Sequence, residues 1–186
     1  MRKLKLQMQL SVDGFVARPD GALDWMTWTM DDKLKQFIHS LTDSSDTILL
    51  GRKMTEGFVS HWENVVNNKP GSPEFSLAKK MVDTPKIVFS KTQKSMGGKN
   101  LVVENGDLVT AVENLKRKNG KDLVVYGGAI FVSNLIEKNL IDELNIFVNP
   151  TAIGTGLKIF KNTTSLELLE STAYECGIIV NTYRPS

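Results

Sequence analysis

The chain has 186 residues, 41% of them hydrophobic and 24% charged, which is the balance of one ordinary globular domain large enough for a real core. Its 23 basic and 21 acidic side chains leave a net charge of +2, which offers no electrostatic footprint for a nucleic-acid or membrane partner. Cys176 is the only cysteine, which excludes a disulfide framework or a cysteine zinc site within one chain.

Strand and helix patterns alternate along the chain. Met1 to Leu10 interleaves Lys and Gln with apolar residues, so it is neither a signal peptide nor a membrane span, and the cytoplasm is the expected location. Leu4, Leu6, Met8 and Leu10 alternate with Lys5, Gln7 and Gln9, a period-2 strand that closes at Asp13-Gly14. After a turn-rich loop through Arg18-Pro19-Asp20-Gly21, Leu34, Phe37, Ile38 and Leu41 fall at helical spacing, with Thr29 as the expected cap. Strand Thr47–Leu50 leads into a helix opening near Lys53, and polar Glu63 to Pro73 reads as a surface loop. A short helix over Ser76–Val82 precedes strand Lys86–Phe89, introduced by Pro85. Lys91 to Asn100 is a loop, Leu101–Val103 a short strand, and Asp107 caps a helix bearing Leu108, Ala111, Val112 and Leu115 on one face.

Leu123–Tyr126, a helix to about Lys138 and strand Leu144–Val148 form a βαβ unit, which implies a parallel pair with a right-handed crossover. The last third changes character: Leu157–Phe160, Ser165–Glu170 and Tyr174–Tyr183 read as strands that extend the sheet in antiparallel fashion. A single α/β domain over residues 1–186 with a mixed sheet is expected.

Two junctions stand out. Val125-Tyr126-Gly127-Gly128-Ala129-Ile130 runs from a buried strand through two glycines into a helix start, where backbone N–H groups favour negative charge. Leu50-Gly51-Arg52-Lys53-Met54-Thr55 repeats that logic with two cations and a hydroxyl. Two phosphate-friendly junctions in one small domain point to a bound dinucleotide. The plain alternatives are ordinary turns, an Arg52 paired with a surface carboxylate and a Thr55 that only caps.

The order of these pieces resembles the dihydrofolate reductase-like fold, and more closely the C-terminal reductase domain of the riboflavin-pathway deaminase-reductase. The resemblance rests on Ser11-Val12-Asp13-Gly14-Phe15-Val16-Ala17, Asp24-Trp25, Gly51-Arg52-Lys53-Met54-Thr55-Glu56, Val88-Phe89-Ser90-Lys91, Tyr126-Gly127-Gly128-Ala129, Ile141-Asp142-Glu143-Leu144 and Asn149 to Gly156 followed by Phe160. It implies a three-layer sandwich, a mostly parallel central sheet with antiparallel C-terminal strands and helices on both faces. It also implies NADPH binding and hydride transfer to a pyrimidine- or pteridine-type heterocycle. Arg52, Lys53 and Thr55 would meet phosphate, and Ser90 and Lys91 the 2′-phosphate that separates NADPH from NADH. Gly127 and Gly128 would let the pyrophosphate lie on the backbone, flanked by Tyr126, Ala129 and Ile130, and relatives often have a cis peptide there. Gln9, Val16 and Ala17 match the positions that line the nicotinamide pocket, where Gln9 can bond a carboxamide or a substrate or face solvent. Relatives often form homodimers, so the resemblance carries that expectation too.

The chain departs from folate reductases at the proton donor. The Trp-Pro-x-Asp/Glu motif is missing, and Asp31 and Asp24 are the substitute candidates, with dipole compensation and capping as the plain role for Asp31. Phe147 stands where folate reductases carry a threonine, so dihydrofolate is not the expected substrate. The glycine loop Ile153-Gly154-Thr155-Gly156 resembles the riboflavin-type branch, in which it borders the cleft; a tight turn is the alternative. The deaminase zinc signature is absent, and His39 and His61 have no ligand spacing, so no metal is assigned. Trp25, Trp28 and Trp62 are candidates for cleft walls, a dimer surface or core. The rival from another class is a nucleotide-binding protein that kept the fold without turnover.

Overall fold

A strand buried on both faces usually reads as continuously apolar. The first strand here, β1 (Leu4–Ser11), keeps its alternation and yet sits between two parallel neighbours inside the sheet. Its Leu4, Leu6, Met8 and Leu10 side enters the largest apolar cluster, so its polar side must serve something other than a greasy core. The computed structural model describes residues 1–27 and 29–186, so the Trp28 expectation lies outside the described residues.

Helix α1 (Asp32–Asp43) is followed by β2 (Ser45–Gly51), α2 (Arg52–Asn68), α3 (Phe75–Asp83), β3 (Lys86–Phe89) and β4 (Leu101–Glu104). Then come α4 (Leu108–Arg117), β5 (Asp122–Val125), α5 (Ala129–Glu137), β6 (Glu143–Asn149), β7 (Leu166–Ala173) and β8 (Ile179–Pro185). The strand order is β4-β3-β2-β5-β1-β6-β8-β7. Pairing is parallel from β4 through β6 and antiparallel between β6, β8 and β7. Right-handed crossovers moving one way and then the other put α1, α2 and α3 on one face and α4 and α5 on the opposite face. The apolar clusters follow this division. Val112, Leu115, Phe131 and Leu135 of α4 and α5 pack on β1, whereas Leu34 and Ile38 of α1 meet Phe147, and α2 and α3 cover Ile48, Leu50 and Val88. The arrangement is the three-layer sandwich the sequence implied.

Several boundaries differ from expectation. Asp31, not Thr29, caps α1, because its carboxylate accepts the Leu34 N–H at 2.9 Å. Helix α2 runs on to Asn68 instead of yielding to a loop at Glu63, since Thr55, Phe58, Val59, Trp62 and Val65 keep helical spacing and Pro70 is the first residue that cannot continue. The βαβ unit is real, but β5 and β6 are not neighbours: β1 lies between them and pairs with both. Leu157–Phe160 forms no strand; Ile159 is buried in the core while Leu157 makes only an isolated bridge to Ala17. Tyr174 to Ile178 is the turn of the β7–β8 hairpin and not part of a strand, closed by the Gly177 N–H on Tyr174 O at 2.9 Å. No helix among the described residues is long and apolar enough to cross a membrane.

Candidate functional site

Parallel strands end together, and the loops that leave their carboxyl ends enclose the usual ligand crevice of α/β sheets. Here that crevice is a cleft of about 2200 Å³ bordered by β1, the starts of α2, α4 and α5, and the loops after β1, β3 and β5. A single small-molecule pocket is about 300–1,000 Å³. The cleft is therefore large enough for a dinucleotide and a second ligand side by side.

Two helix N-termini meet at its centre. Gly51 precedes α2 and Gly128 precedes α5, and neither helix start carries a side-chain cap, unlike α1 and α4, which Asp31 and Asp107 close. Their first backbone N–H groups thus remain unclaimed by side chains. Gly127 and Gly128 adopt φ of 151° and 89°, conformations that L side chains rarely tolerate. The helix starts touch: the Gly51 N–H faces Gly127 O at 3.4 Å, and a β-carbon on Gly128 would sit 3.2 Å from Gly51 Cα. No cis peptide occurs among the described residues, and the backbone opens here through the positive φ of Gly127 and Gly128.

Arg52 and Lys53 are exposed on the first turn of α2 and border the cleft. Thr55 does not: it is fully buried and its hydroxyl donates to Gly51 O at 3.1 Å, so the expectation of a phosphate contact there is corrected. Such back-bonding to the carbonyl four residues earlier is a common local arrangement for a helical threonine hydroxyl. Ser90 and Lys91 border the cleft at the end of β3. The Ser90 hydroxyl accepts the Gln93 N–H at 2.9 Å and shapes the loop that presents exposed Lys91. Tyr126 lies at the inner end, stacked on Phe58 with ring centroids 5.7 Å apart, and burial pushes its hydroxyl up to about 12. Ala129 and Ile130 line the α5 side, Ile130 being 58% exposed.

On the β1 side, Gln9, Val16 and Ala17 all line the cleft, the last two nearly buried. The loop after β1 is fastened to the segment after β6. The Asp13 carboxylate accepts the Gly154 N–H at 2.7 Å, and the Val16 N–H donates to Leu157 O at 2.9 Å. Asp13-Gly14 is thus a structural turn with an anchoring carboxylate. The glycine loop Ile153 to Gly156 buttresses this wall from behind and does not itself line the cleft.

Neither acid candidate reaches the cleft lining. Asp24 is exposed and accepts from Arg18 Nε at 2.6 Å, which holds its carboxyl below the usual range. Asp31 accepts the Leu34 and Cys176 N–H groups at 2.9 and 3.2 Å, and these, Leu34 first, hold its carboxyl low as well. Both are bases already spoken for. The carboxylates that do border the cleft are Asp20 in the loop after β1, Glu56 and Glu63 on α2, Glu104 at the end of β4 and Asp107 at the cap of α4. Phe147, in the place of the folate reductases' threonine, is fully buried against Leu34 and Ile38. Trp25 is buried and Trp62 packs edge-on against Phe58, so neither forms a cleft wall.

Gln7 in the cleft and Asn149 behind it went unassigned in the sequence. Gln7 lines the floor, and its Oε1 is buried with no hydrogen-bond partner among the described residues. Asn149 is fully buried and ties three segments together: its Oδ1 accepts the Thr27 N–H at 2.9 Å and its Nδ2 donates to Gln9 Oε1 at 2.8 Å. The signal for Gln7 was present in the polar alternation of a strand that the topology makes internal. For Asn149 there was none, because an Asn before Pro reads as a turn.

Comparison with known proteins agrees with this geometry. The profile of the RibD C-terminal domain matches residues 2–180. The chain is 28% identical over 185 residues to the uncharacterized protein YyaP of Bacillus subtilis (strain 168), covering 98% of this chain and 94% of that one. RibD of Acinetobacter baumannii superposes with a TM-score of 0.74 at 16% identity, over 100% of this chain and 58% of that one. Dihydrofolate reductase from Enterococcus faecalis, complexed with NADP(H), superposes with a TM-score of 0.63 at 16% identity, over 99% and 96% of the two chains. The two structural likenesses show a shared fold. The match along almost the whole length makes this chain a member of the RibD C-terminal domain family, a reductase-like family on a dihydrofolate reductase-like fold.

Proposed function

We propose that the protein is an NADPH-dependent reductase acting on a pyrimidine- or pteridine-type heterocycle. One observation carries the reading: two uncapped helix starts meet at Gly51, Gly127 and Gly128, with Arg52 and Lys53 beside them. Helix starts of this kind bind phosphate oxygens through backbone N–H groups and the helix dipole. The glycines let the two helix starts pack together, since a β-carbon on Gly51 would meet Phe131 and one on Gly128 would meet Gly51, and the donor set they bring side by side, uncapped N–H groups with two cations, fits a pyrophosphate. Lys91, beyond β3, would pair the 2′-phosphate, and Val16 and Ala17 would offer an apolar wall to the nicotinamide. When bound, the cofactor supplies a hydride. The chain's own work is to bind and orient, because the floor strand β1 bears no carboxylate and both Asp24 and Asp31 are held elsewhere. Proton delivery then falls to water entering the open cleft or to a carboxylate on its border, such as Glu56 near the start of α2. A homodimer and a cytoplasmic setting belong to the same reading.

Titration with NADPH and NADH, followed by tryptophan quenching, tests the proposal. Micromolar NADPH binding that weakens in Arg52→Ala and Lys91→Ala supports it; no binding of either dinucleotide by folded protein refutes it. The placement of both candidate acids outside the cleft favours a second reading, a nucleotide-binding protein without turnover. NADPH affinity with no oxidation on a panel of pyrimidines and pterins would select that one.

A further inference from the structure

We infer that Gln9 sets ligand specificity on the cleft floor as a one-way hydrogen-bond donor, and that Asn149 is the residue that positions it; this rests on the reductase reading. Polarity is fixed at Thr27. Its backbone N–H can only donate, and it meets Asn149 Oδ1 at 2.9 Å. Asn149 Nδ2 is therefore turned toward β1, with Gln9 Oε1 at 2.8 Å and the Phe147 and Leu10 main-chain oxygens at 3.3 and 3.4 Å. Every neighbour of that nitrogen is an acceptor, so a reversed amide would set oxygen against oxygen at each of them. Asn149 is fully buried, and no bulk water is at hand to rescue the reversed arrangement.

Gln9 thus commits its oxygen to Asn149 and keeps Nε2 as a donor, without an acceptor among the described residues, on the side of β1 that lines the cleft. Two residues earlier, Gln7 lines the same floor, with Oε1 buried and unpartnered among the described residues. Side chains two apart on a strand share a face at about 7 Å spacing, within the width of a fused heterocycle and its substituents. The Gln9 donor, on a strand without a carboxylate, favours a ring that presents an acceptor to it, a ring carbonyl oxygen, over one that presents an amine at that place.

Equilibrium binding of 5-aminouracil and 2,4-diaminopyrimidine to the full chain, by calorimetry with and without NADPH, tests this. The wild type is expected to prefer 5-aminouracil about tenfold, the scale of one hydrogen bond gained against one left unpaired. Gln9→Glu keeps an oxygen for Asn149 and turns the cleft-facing donor into an acceptor, so the preference between the two probes reverses. Asn149→Leu lets Gln9 turn either way and brings the ratio to within about threefold. Thermal melts confirm that each variant is folded. An unchanged ratio in Gln9→Glu, no binding of either probe by the wild type, or an effect confined to NADPH affinity overturns the inference. Loss of the reductase reading shows separately, as wild-type protein that discriminates the probes but binds no dinucleotide.

Discussion

Gly51→Ala is expected to unseat the start of α5 and weaken dinucleotide binding together. A β-carbon on residue 51 would lie 2.7 Å from Phe131 Cβ and 3.3 Å from Phe131 Cγ. Carbon atoms settle at about 3.5–4.0 Å, so roughly 1 Å of movement is required. Phe131 Cβ is rooted in the α5 main chain, which means that a rotamer change cannot supply that movement and the helix start must shift. Overpacking of this kind costs about 1–3 kcal/mol. At about 2–4 °C per kcal/mol for a chain of this length, the melting temperature should fall by about 2–12 °C. A shift of about 1 Å also misaligns N–H groups that have to meet phosphate together, so NADPH affinity should drop about tenfold or more. The control is Gly57→Ala, in the body of the same helix, where an added β-carbon meets nothing within 4 Å. It should stabilise by about 0.5–1 kcal/mol and leave NADPH affinity alone. Calorimetric melts and fluorescence titrations of the two variants decide the matter. Should Gly51→Ala behave like Gly57→Ala in both, the packing of α2 against α5 at the proposed phosphate site is refuted.

Further outcomes can be read with simple variants. Asp31→Asn keeps a capping acceptor for Leu34 and should retain turnover on any substrate the wild type reduces; a hundredfold loss would restore Asp31 as an acid. Lys86 is buried, donates to the Met81, Val82 and Thr84 carbonyls at 2.8–2.9 Å, and burial brings its ammonium down to about 8. The unfolded chain then holds the extra proton between that value and about 10.4, so stability should rise with pH across this window by up to about 3 kcal/mol. Lys86→Met should lack that rise in pH-resolved urea unfolding. Arg52→Ala with Lys53→Ala should weaken NADPH binding and flatten its salt dependence, as expected when exposed cations at a helix start are removed.

Much of the fold was legible because its signals are local. Period-2 alternation located β1, Asp107 located the start of α4, and Pro85 introduced β3. What escaped depends on partners far along the chain. Nothing near Glu63 says that Trp62 and Val65 find a sheet to pack on and so extend α2 to Asn68. Leu157 to Phe160 has strand-like residues, but only Ala17 is there to bridge with. The glycine junctions were readable because backbone conformation is encoded in residue type. The Thr27–Asn149–Gln9 link was not, since a buried amide's role is set by which donor or acceptor the fold brings to it.

The central position of β1 has a consequence for synthesis. β1 is made well before both of the strands it is inserted between, pairing Leu4 with Leu123 and Gln9 with Phe147. As the chain leaves the ribosome, β2, β3 and β4 can assemble with their helices while β1 waits, its apolar Leu4, Leu6, Met8 and Leu10 exposed and both edges open to foreign strands. β1 finds its second neighbour only once residues near 149 have emerged, which raises the contact order of the sheet and makes its completion slow.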